Sequence, residues 1–151
     1  MRGPAVKISL VLCLPRESST LSVVRHITES SLQELGVVSE EIGDVVLALT
    51  EAAANVVKHS GADDQYEVHL VIEDNVCEIT VVDRGRGFDS DFLGVNMAGP
   101  SEERGRGIAI MAALVDSVRF ESRPEAGTIV HLVKELSLRP DGPLRRLAGA
   151  E

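Results

Sequence analysis

The chain has 151 residues, the length of one ordinary domain, and it is 44% hydrophobic with only 3% aromatic residues. A core must therefore be packed mainly from Val, Leu, Ile and Ala, which is typical of a globular protein and excludes a disordered chain. The 24 acidic and 15 basic residues give a formal charge of −9, which disfavours binding to nucleic acid or to an anionic membrane surface.

The first predicted element is a strand in the apolar run at residues 5–14. This run is too short to cross a bilayer, contains Lys7 and has no small-residue cleavage pattern, so neither a membrane span nor a secretion signal is expected. Cys13 in this strand and Cys77 further on lack metal-ligand spacing. We expect both to be buried free thiols, as suits a soluble cytoplasmic protein.

Two amphipathic helices follow the first strand. Apolar residues recur at helical spacing over residues 19–35, up to Gly36, and predict the first helix. The second is predicted at residues 40–59, where two glutamates follow Ser39 and an apolar face begins.

A hairpin and a long loop come next in the chain. Residues 66–72 and 77–81 alternate between apolar and polar side chains and flank Asp74-Asn75, which predicts two antiparallel strands joined by a tight turn. Residues 84–106 are rich in Gly, Asp, Arg and Ser and are predicted to form a functional loop.

The last predicted elements complete a single domain at residues 1–136. They are a short helix at 108–115 and a second hairpin with strands at 118–120 and 129–133. Residues 137–151 are predicted to form a loose C-terminal tail. Because helices and strands come in segregated runs, the expected class is α+β, a two-layer sandwich with helices on one face of a mostly antiparallel sheet.

The second helix contains the sequence E-A-A-A-N, which places Glu51 and Asn55 one above the other on the same face. A carboxylate beside a carboxamide suits Mg²⁺-phosphate chemistry, because the hard cation prefers oxygen ligands and the carboxylate can deprotonate an attacking hydroxyl. Asn55 is the candidate ligand and Glu51 the candidate base. Taken alone, such a pair is more often a solvent-facing polar stripe.

A glycine-rich motif, V-V-D-R-G-R-G-F, follows at the end of the first hairpin. Asp83 leaves the strand there, and Gly85 and Gly87 let the backbone approach a ligand closely. An aspartate can accept a hydrogen bond from the amine of adenine, so the motif fits a nucleotide. A glycine-rich turn capped by an aspartate is an equally good interpretation of this motif in isolation.

A third motif, E-R-G-R-G-I-A-I-M, places Gly105 and Gly107 immediately before the predicted helix. Backbone N–H groups and the helix dipole make such a position an anion site, and Arg106 adds a positive charge within reach of a phosphate. A flexible loop that ends in a helix start is the alternative. The chain has no G-x-x-x-x-G-K-[ST] motif and no strand–G-x-G-x-x-G–helix unit, which excludes a P-loop and gives no support to a dinucleotide fold.

In this order, the motifs E-A-A-A-N-V-V-K-H, D-R-G-R-G-F and G-R-G-I-A-I-M resemble the N, G1 and G2 boxes of the Bergerat-fold (GHKL) ATPases, over residues 5–135. Within that superfamily the chain is most similar to the stand-alone anti-sigma-factor serine/threonine kinases of bacteria. The short length, Glu51 and the brief loop before Gly105 carry this likeness. The resemblance implies a Bergerat fold, in which helices cover one face of a mixed, mostly antiparallel sheet.

The resemblance also implies roles for individual residues. It makes Asn55 the Mg²⁺ ligand, Glu51 the base and Asp83 the adenine contact, and it leaves Lys58 either as a phosphate contact or as an exposed charge at the helix end. Arg104 departs from the pattern, because many of these kinases have glycine there. The remaining contacts to base, ribose and phosphates fall on Gly85, Gly87, Gly105, Arg106 and Gly107.

The implied function is ATP- and Mg²⁺-dependent phosphorylation of a serine or threonine on an anti-sigma antagonist, together with sequestration of a sigma factor. The implied partners are therefore those two proteins, and a homodimer is implied by the resemblance alone. Two alternatives stay open. One is a non-catalytic, ATP-responsive module that binds a regulator, and the other is a detached histidine-kinase catalytic domain.

Overall fold

The computed structural model describes residues 6–58, 65–83, 102–123 and 127–147. The helices and strands of these segments build two layers, a sheet and a set of helices on one of its faces. Along the chain the elements are β1 (Lys7–Pro15), α1 (Thr20–Leu35), α2 (Ser39–Lys58), β2 (Gln65–Glu73), β3 (Val76–Asp83), α3 (Glu102–Leu114), β4 (Ser117–Arg123), β5 (Gly127–Glu135) and α4 (Pro143–Leu147).

The sheet has five strands in the order β1-β2-β3-β5-β4, and each of the four described pairings is antiparallel. β2 and β3 are joined by the predicted tight turn, in which Asp74 adopts a left-handed backbone with φ of 57°. The register places Tyr66 between Leu14 of β1 and Asp83 of β3. The C-terminal ends of β1 and β3 therefore lie at the same edge of the sheet.

The core lies between the sheet and the helices. Strands β2 and β3 alternate between buried and more exposed side chains, as expected for strands with one face against a core. Helix α2 is central, since it packs against both α1 and α3 as well as the sheet. The prediction of an α+β two-layer sandwich is confirmed. No described helix is long and apolar enough to span a membrane.

Helix α3 begins at Glu102, not at residue 108, so the predicted loop at residues 84–106 is wrong at its end. The first turn carries Glu102 and Glu103, and acidic residues near a helix N-terminus are stabilised by the helix dipole. Arginine, at positions 104 and 106, has a high helix propensity. Packing of this helix on α2 also offsets the cost of two glycines. Residues 84–101 lie outside the described segments.

Residues 137–147 pack on the domain, so the prediction of a loose tail is wrong for this segment. Leu138 forms a bridge with Val37, and the N–H of Arg139 donates to the carbonyl of Gly36 at 2.8 Å. Leu144 is buried, with 1% of its surface exposed. Gly36 adopts a left-handed φ of 89°, which ends α1 and brings the backbone against this segment.

The docking of this segment predicts a stability difference between two leucines of α4. Replacing buried Leu144 with Ala should lower the free energy of unfolding by about 2 kcal/mol or more, because it removes buried methyl groups and leaves a cavity. Leu147→Ala is the matched control, since Leu147 is 58% exposed. Urea denaturation of both variants checks this, and equal midpoints would show that the segment is not docked.

The two cysteines differ in burial. Cys77 is buried on the helix-facing side of β3, as predicted, whereas Cys13 is exposed, and the prediction that it is buried is wrong. The reason is the alternation of β1, whose odd-numbered residues point away from the helices. Burial, followed by the charge of Glu78, raises the pKa of the Cys77 thiol to about 12.

A thiol reagent should therefore distinguish the two cysteines. At pH 8 we expect the folded protein to react at Cys13 only, because the raised pKa leaves almost no thiolate at Cys77 and burial excludes the reagent. Labelling with an iodoacetamide, followed by peptide mass spectrometry, measures this directly. Cys77 should react after denaturation, and reaction of both thiols in the folded state would contradict the placement of β3.

Candidate functional site

Glu51 and Asn55 converge on Gly107, which brings the first and third sequence motifs together. A β-carbon placed at Gly107 would lie 3.4 Å from Glu51 Oε2 and 3.5 Å from Asn55 Nδ2. Glycine therefore allows α3 to pack closely against the polar face of α2. In the structure Glu51 and Asn55 lie close together on one face of α2, as predicted.

Asn55 carries the most informative polar group of this region. The residue is only 9% exposed, yet its Nδ2 has no hydrogen-bond partner among the residues that the structure describes. A buried polar atom without a partner costs about 1–3 kcal/mol, so such atoms usually mark a place where a ligand, ion or water completes the contacts. A carboxamide at this position fits an anionic ligand through Nδ2 and a hard cation through Oδ1.

Asp83 ends β3 and is also buried. Its carboxylate forms an ion pair with Arg16, and the exposed fractions of the two side chains are 1% and 0%. Close by in the sheet, the Tyr66 hydroxyl lies 2.7 Å from Thr20 Oγ1, and Thr20 donates to the carbonyl of Glu17. Tyr66 therefore acts as the donor to Thr20, and burial raises the pKa of its hydroxyl.

Sequence reasoning missed Arg16, Thr20 and Tyr66. Arg16 lies in the short polar segment between the first predicted strand and the first predicted helix. The available signal was an arginine directly after an apolar strand, but its meaning depends on strand order. Only the antiparallel register of β1, β2 and β3 shows that Arg16 and Asp83 share one edge of the sheet.

The other predicted site residues are only partly described. Gly85 and Gly87 lie outside the described residues, as do the side chains of Lys58 and Arg106. Gly105 and Gly107 lie within α3 rather than before it, so the expected anion site at the start of a helix at residue 108 is wrong. Within a helix, the N–H groups beyond the first turn bond to the preceding turn, which removes Gly107 N–H as a free donor here.

A metal cage built from the protein alone is not found in the described part of the chain. No group of three or more His, Cys, Asp or Glu side chains within it is arranged to hold a metal ion.

The fold is shared with a crystal structure of the RsbU and RsbW domains of a Mycobacterium tuberculosis protein. The TM-score is 0.68 at 24% identity, and the match covers 87% of this chain and 33% of that longer chain. The sequence profile of the histidine kinase-like ATPase domain matches residues 14–134. The chain therefore belongs to the histidine kinase-like ATPase domain family, an ATP-binding class of domain.

Two relatives match most of the chain. The anti-sigma F factor of Pasteuria penetrans is 35% identical over an alignment of 105 residues, and the match covers 64% of this chain and 70% of that protein. The serine-protein kinase RsbW of Bacillus pumilus is 26% identical over an alignment of 137 residues, and the match covers 82% of this chain and 83% of that protein. The resemblance to anti-sigma-factor serine kinases, inferred from three motifs, is confirmed.

Proposed function

We propose that this protein is a Mg²⁺- and ATP-dependent serine/threonine kinase that regulates a sigma factor. The single observation that supports it best is the buried Nδ2 of Asn55, which lies beside Gly107 and has no hydrogen-bond partner in the described part of the chain. A phosphate oxygen would satisfy that donor, and the carboxamide oxygen would bind Mg²⁺. The family membership and the serine-protein kinase among the relatives support the same conclusion.

In this proposal each motif residue has a task in binding the nucleotide. Asn55 holds Mg²⁺, which supplies positive charge to the phosphates, and Asp83 accepts a hydrogen bond from the adenine amine. Gly85 and Gly87 are assigned to the base and ribose, because glycine has no side chain to block a close approach. Gly105 and Arg106 close over the phosphates, Gly107 leaves room for them because it has no side chain, and Lys58 contacts a phosphate from the end of α2.

Glu51 is the proposed general base. A carboxylate within hydrogen-bond reach of the acceptor hydroxyl removes its proton as the oxygen bonds to the γ-phosphorus. The bond from the γ-phosphorus to the bridging oxygen breaks, and ADP leaves with that oxygen. Catalysis otherwise consists of positioning and of neutralising the charge on the transferred group. Gly107 contributes by its missing side chain, because it leaves the space beside the Glu51 carboxylate and the Asn55 carboxamide for the reacting groups.

The relatives named anti-sigma F factor support a sigma factor as one partner, and the family resemblance implies the other two. A sigma factor is the protein that is sequestered, and an anti-sigma antagonist with an acceptor serine or threonine is the substrate. A second copy of the chain completes the assembly as a homodimer. The alternative of a non-catalytic, ATP-responsive module keeps the same binding site but needs no base at Glu51.

Incubation with labelled Mg-ATP and a candidate antagonist domain tests the proposal. The expected product is phosphoserine or phosphothreonine on the antagonist. Binding of ATP without label transfer to any antagonist of the native host would favour the non-catalytic module. Label on a histidine of a separate protein would favour a detached histidine-kinase domain.

Gly107→Ala should raise the stability of the fold and lower the affinity for Mg-ATP. A β-carbon at this position meets Glu51 and Asn55 at ordinary contact distances, so the variant fits, and alanine in a helix interior adds about 1 kcal/mol of stability over glycine. The methyl group occupies the space assigned to the phosphates, so Mg-ATP affinity should fall. Thermal melting and isothermal titration measure the two effects. Unchanged affinity would place the phosphates elsewhere.

A further inference from the structure

The ion pair between Arg16 and Asp83 is withdrawn from water almost completely, with 0% and 1% of the two side chains exposed. Arg16 directly follows β1, and Asp83 ends β3 two strands away in the sheet. Because burying charges is costly, a buried ion pair contributes little net stability to the fold. We therefore consider its effect on the charge of Asp83. The proposed function uses Asp83 but gives Arg16 no task.

Arg16 fixes the charge of Asp83. Burial favours the neutral form of a carboxyl group unless an opposite charge lies beside it, and a guanidinium stays protonated at every accessible pH. Asp83 next to Arg16 is therefore a carboxylate, which only accepts hydrogen bonds. A carboxylate has about four lone-pair sites, so an ion pair with a guanidinium is compatible with accepting a further hydrogen bond from a ligand.

We propose that Arg16 is the positioning residue that makes Asp83 select adenine over guanine. The proposal rests on the proposed function, in which Asp83 contacts position 6 of the purine. There adenine presents an amino donor and guanine presents an oxygen acceptor. The carboxylate attracts the first and repels the second. A protonated Asp83 would carry a donor for the guanine oxygen, and the selectivity would decrease.

The alternative role for Arg16 is to compete with the adenine ring of the nucleotide for the Asp83 carboxylate. Separating a buried ion pair leaves an uncompensated buried charge, which is strongly unfavourable. A nucleotide that displaced Arg16 would carry that cost, whereas one that adds to the pair would not. The burial of both side chains therefore favours support over competition.

The test compares nucleotide affinities in Arg16 variants of the full chain. Mg-ATP, Mg-GTP and the triphosphate of purine riboside, which lacks a group at position 6, are titrated against wild type, R16M and R16K. A hydrogen bond to a charged group is worth about 1.5–3 kcal/mol, so wild type should bind ATP about 10- to 100-fold more tightly than the riboside analogue. In R16M, the preference for ATP over the analogue should shrink to a few-fold, because a neutral carboxyl oxygen accepts a weaker hydrogen bond. The ATP:GTP ratio should fall at least about tenfold, whereas R16K should keep both ratios because it keeps the charge.

Ratios are used because they do not depend on the folded fraction. Partial unfolding lowers the apparent affinity for every nucleotide by the same factor. Where R16M does not fold at all, R16Q replaces it, since it keeps a hydrogen-bond donor beside Asp83 without the charge. The same loss of selectivity is expected for R16Q.

Two results would overturn the inference. One is an unchanged ATP:GTP ratio in the uncharged variants, and the other is tighter ATP binding, which would make Arg16 a competitor. Failure of the proposed function looks different, because wild type itself would then bind none of the three nucleotides.

Discussion

Replacing Glu51 with Ala is expected to lower the rate of phosphotransfer by about 10²–10⁴-fold, the usual contribution of a general base. Mg-ATP binding should survive, because the proposed nucleotide contacts are made by Asn55, Asp83 and the glycine motifs. The expected kinetic signature is therefore a reduced kcat with a nearly unchanged KM for ATP. Initial rates with the antagonist protein at saturating ATP measure it.

Glu40→Ala is the control for this experiment. Glu40 lies on the same helix, but in its exposed first turn. Its removal should leave the rate of phosphotransfer unchanged. If Glu51→Ala phosphorylates the antagonist as fast as wild type, Glu51 is not the base, and the non-catalytic module gains support.

Replacing Asn55 with Ala should weaken Mg-ATP binding by about 100- to 1,000-fold, because the variant loses both a charge-assisted hydrogen bond and a metal ligand. The fold should not suffer to the same degree. Nδ2 of Asn55 has no partner among the described residues, so its removal relieves a buried unsatisfied donor. We expect the free energy of unfolding without nucleotide to stay the same or to rise by about 1 kcal/mol.

Isothermal titration and urea denaturation measure the two effects of Asn55→Ala. Asn75→Ala, in the exposed turn between β2 and β3, is the control and should bind Mg-ATP like wild type. A large loss of stability together with the loss of binding would show that Asn55 supports the fold, and the assignment as a ligand would then fail.

Local patterns in the sequence predicted most of the elements. Gly36 ends α1 at the predicted residue because its left-handed backbone stops the helix. The pairing of Glu51 with Asn55 follows from helix geometry alone, so their shared face could be predicted. The two-residue turn at Asp74-Asn75 fixes the register of its own hairpin, and this too is local information.

Features that depend on contacts between distant residues could not be predicted in the same way. The burial of Leu144 depends on the packing of the C-terminal segment near Gly36, and a Pro- and Gly-rich sequence gives no sign of it. The ion pair of Arg16 with Asp83 depends on strand order. The close approach of Gly107 to Asn55 depends on how α3 packs on α2.

Titration of the purified protein with ATP in millimolar Mg²⁺ tests the central claim most directly. We expect saturable binding of one ATP per chain for wild type and binding about 100- to 1,000-fold weaker for Asn55→Ala. Absence of binding by the folded wild-type protein at millimolar Mg-ATP would contradict the proposed site and, with it, every kinase role that depends on it.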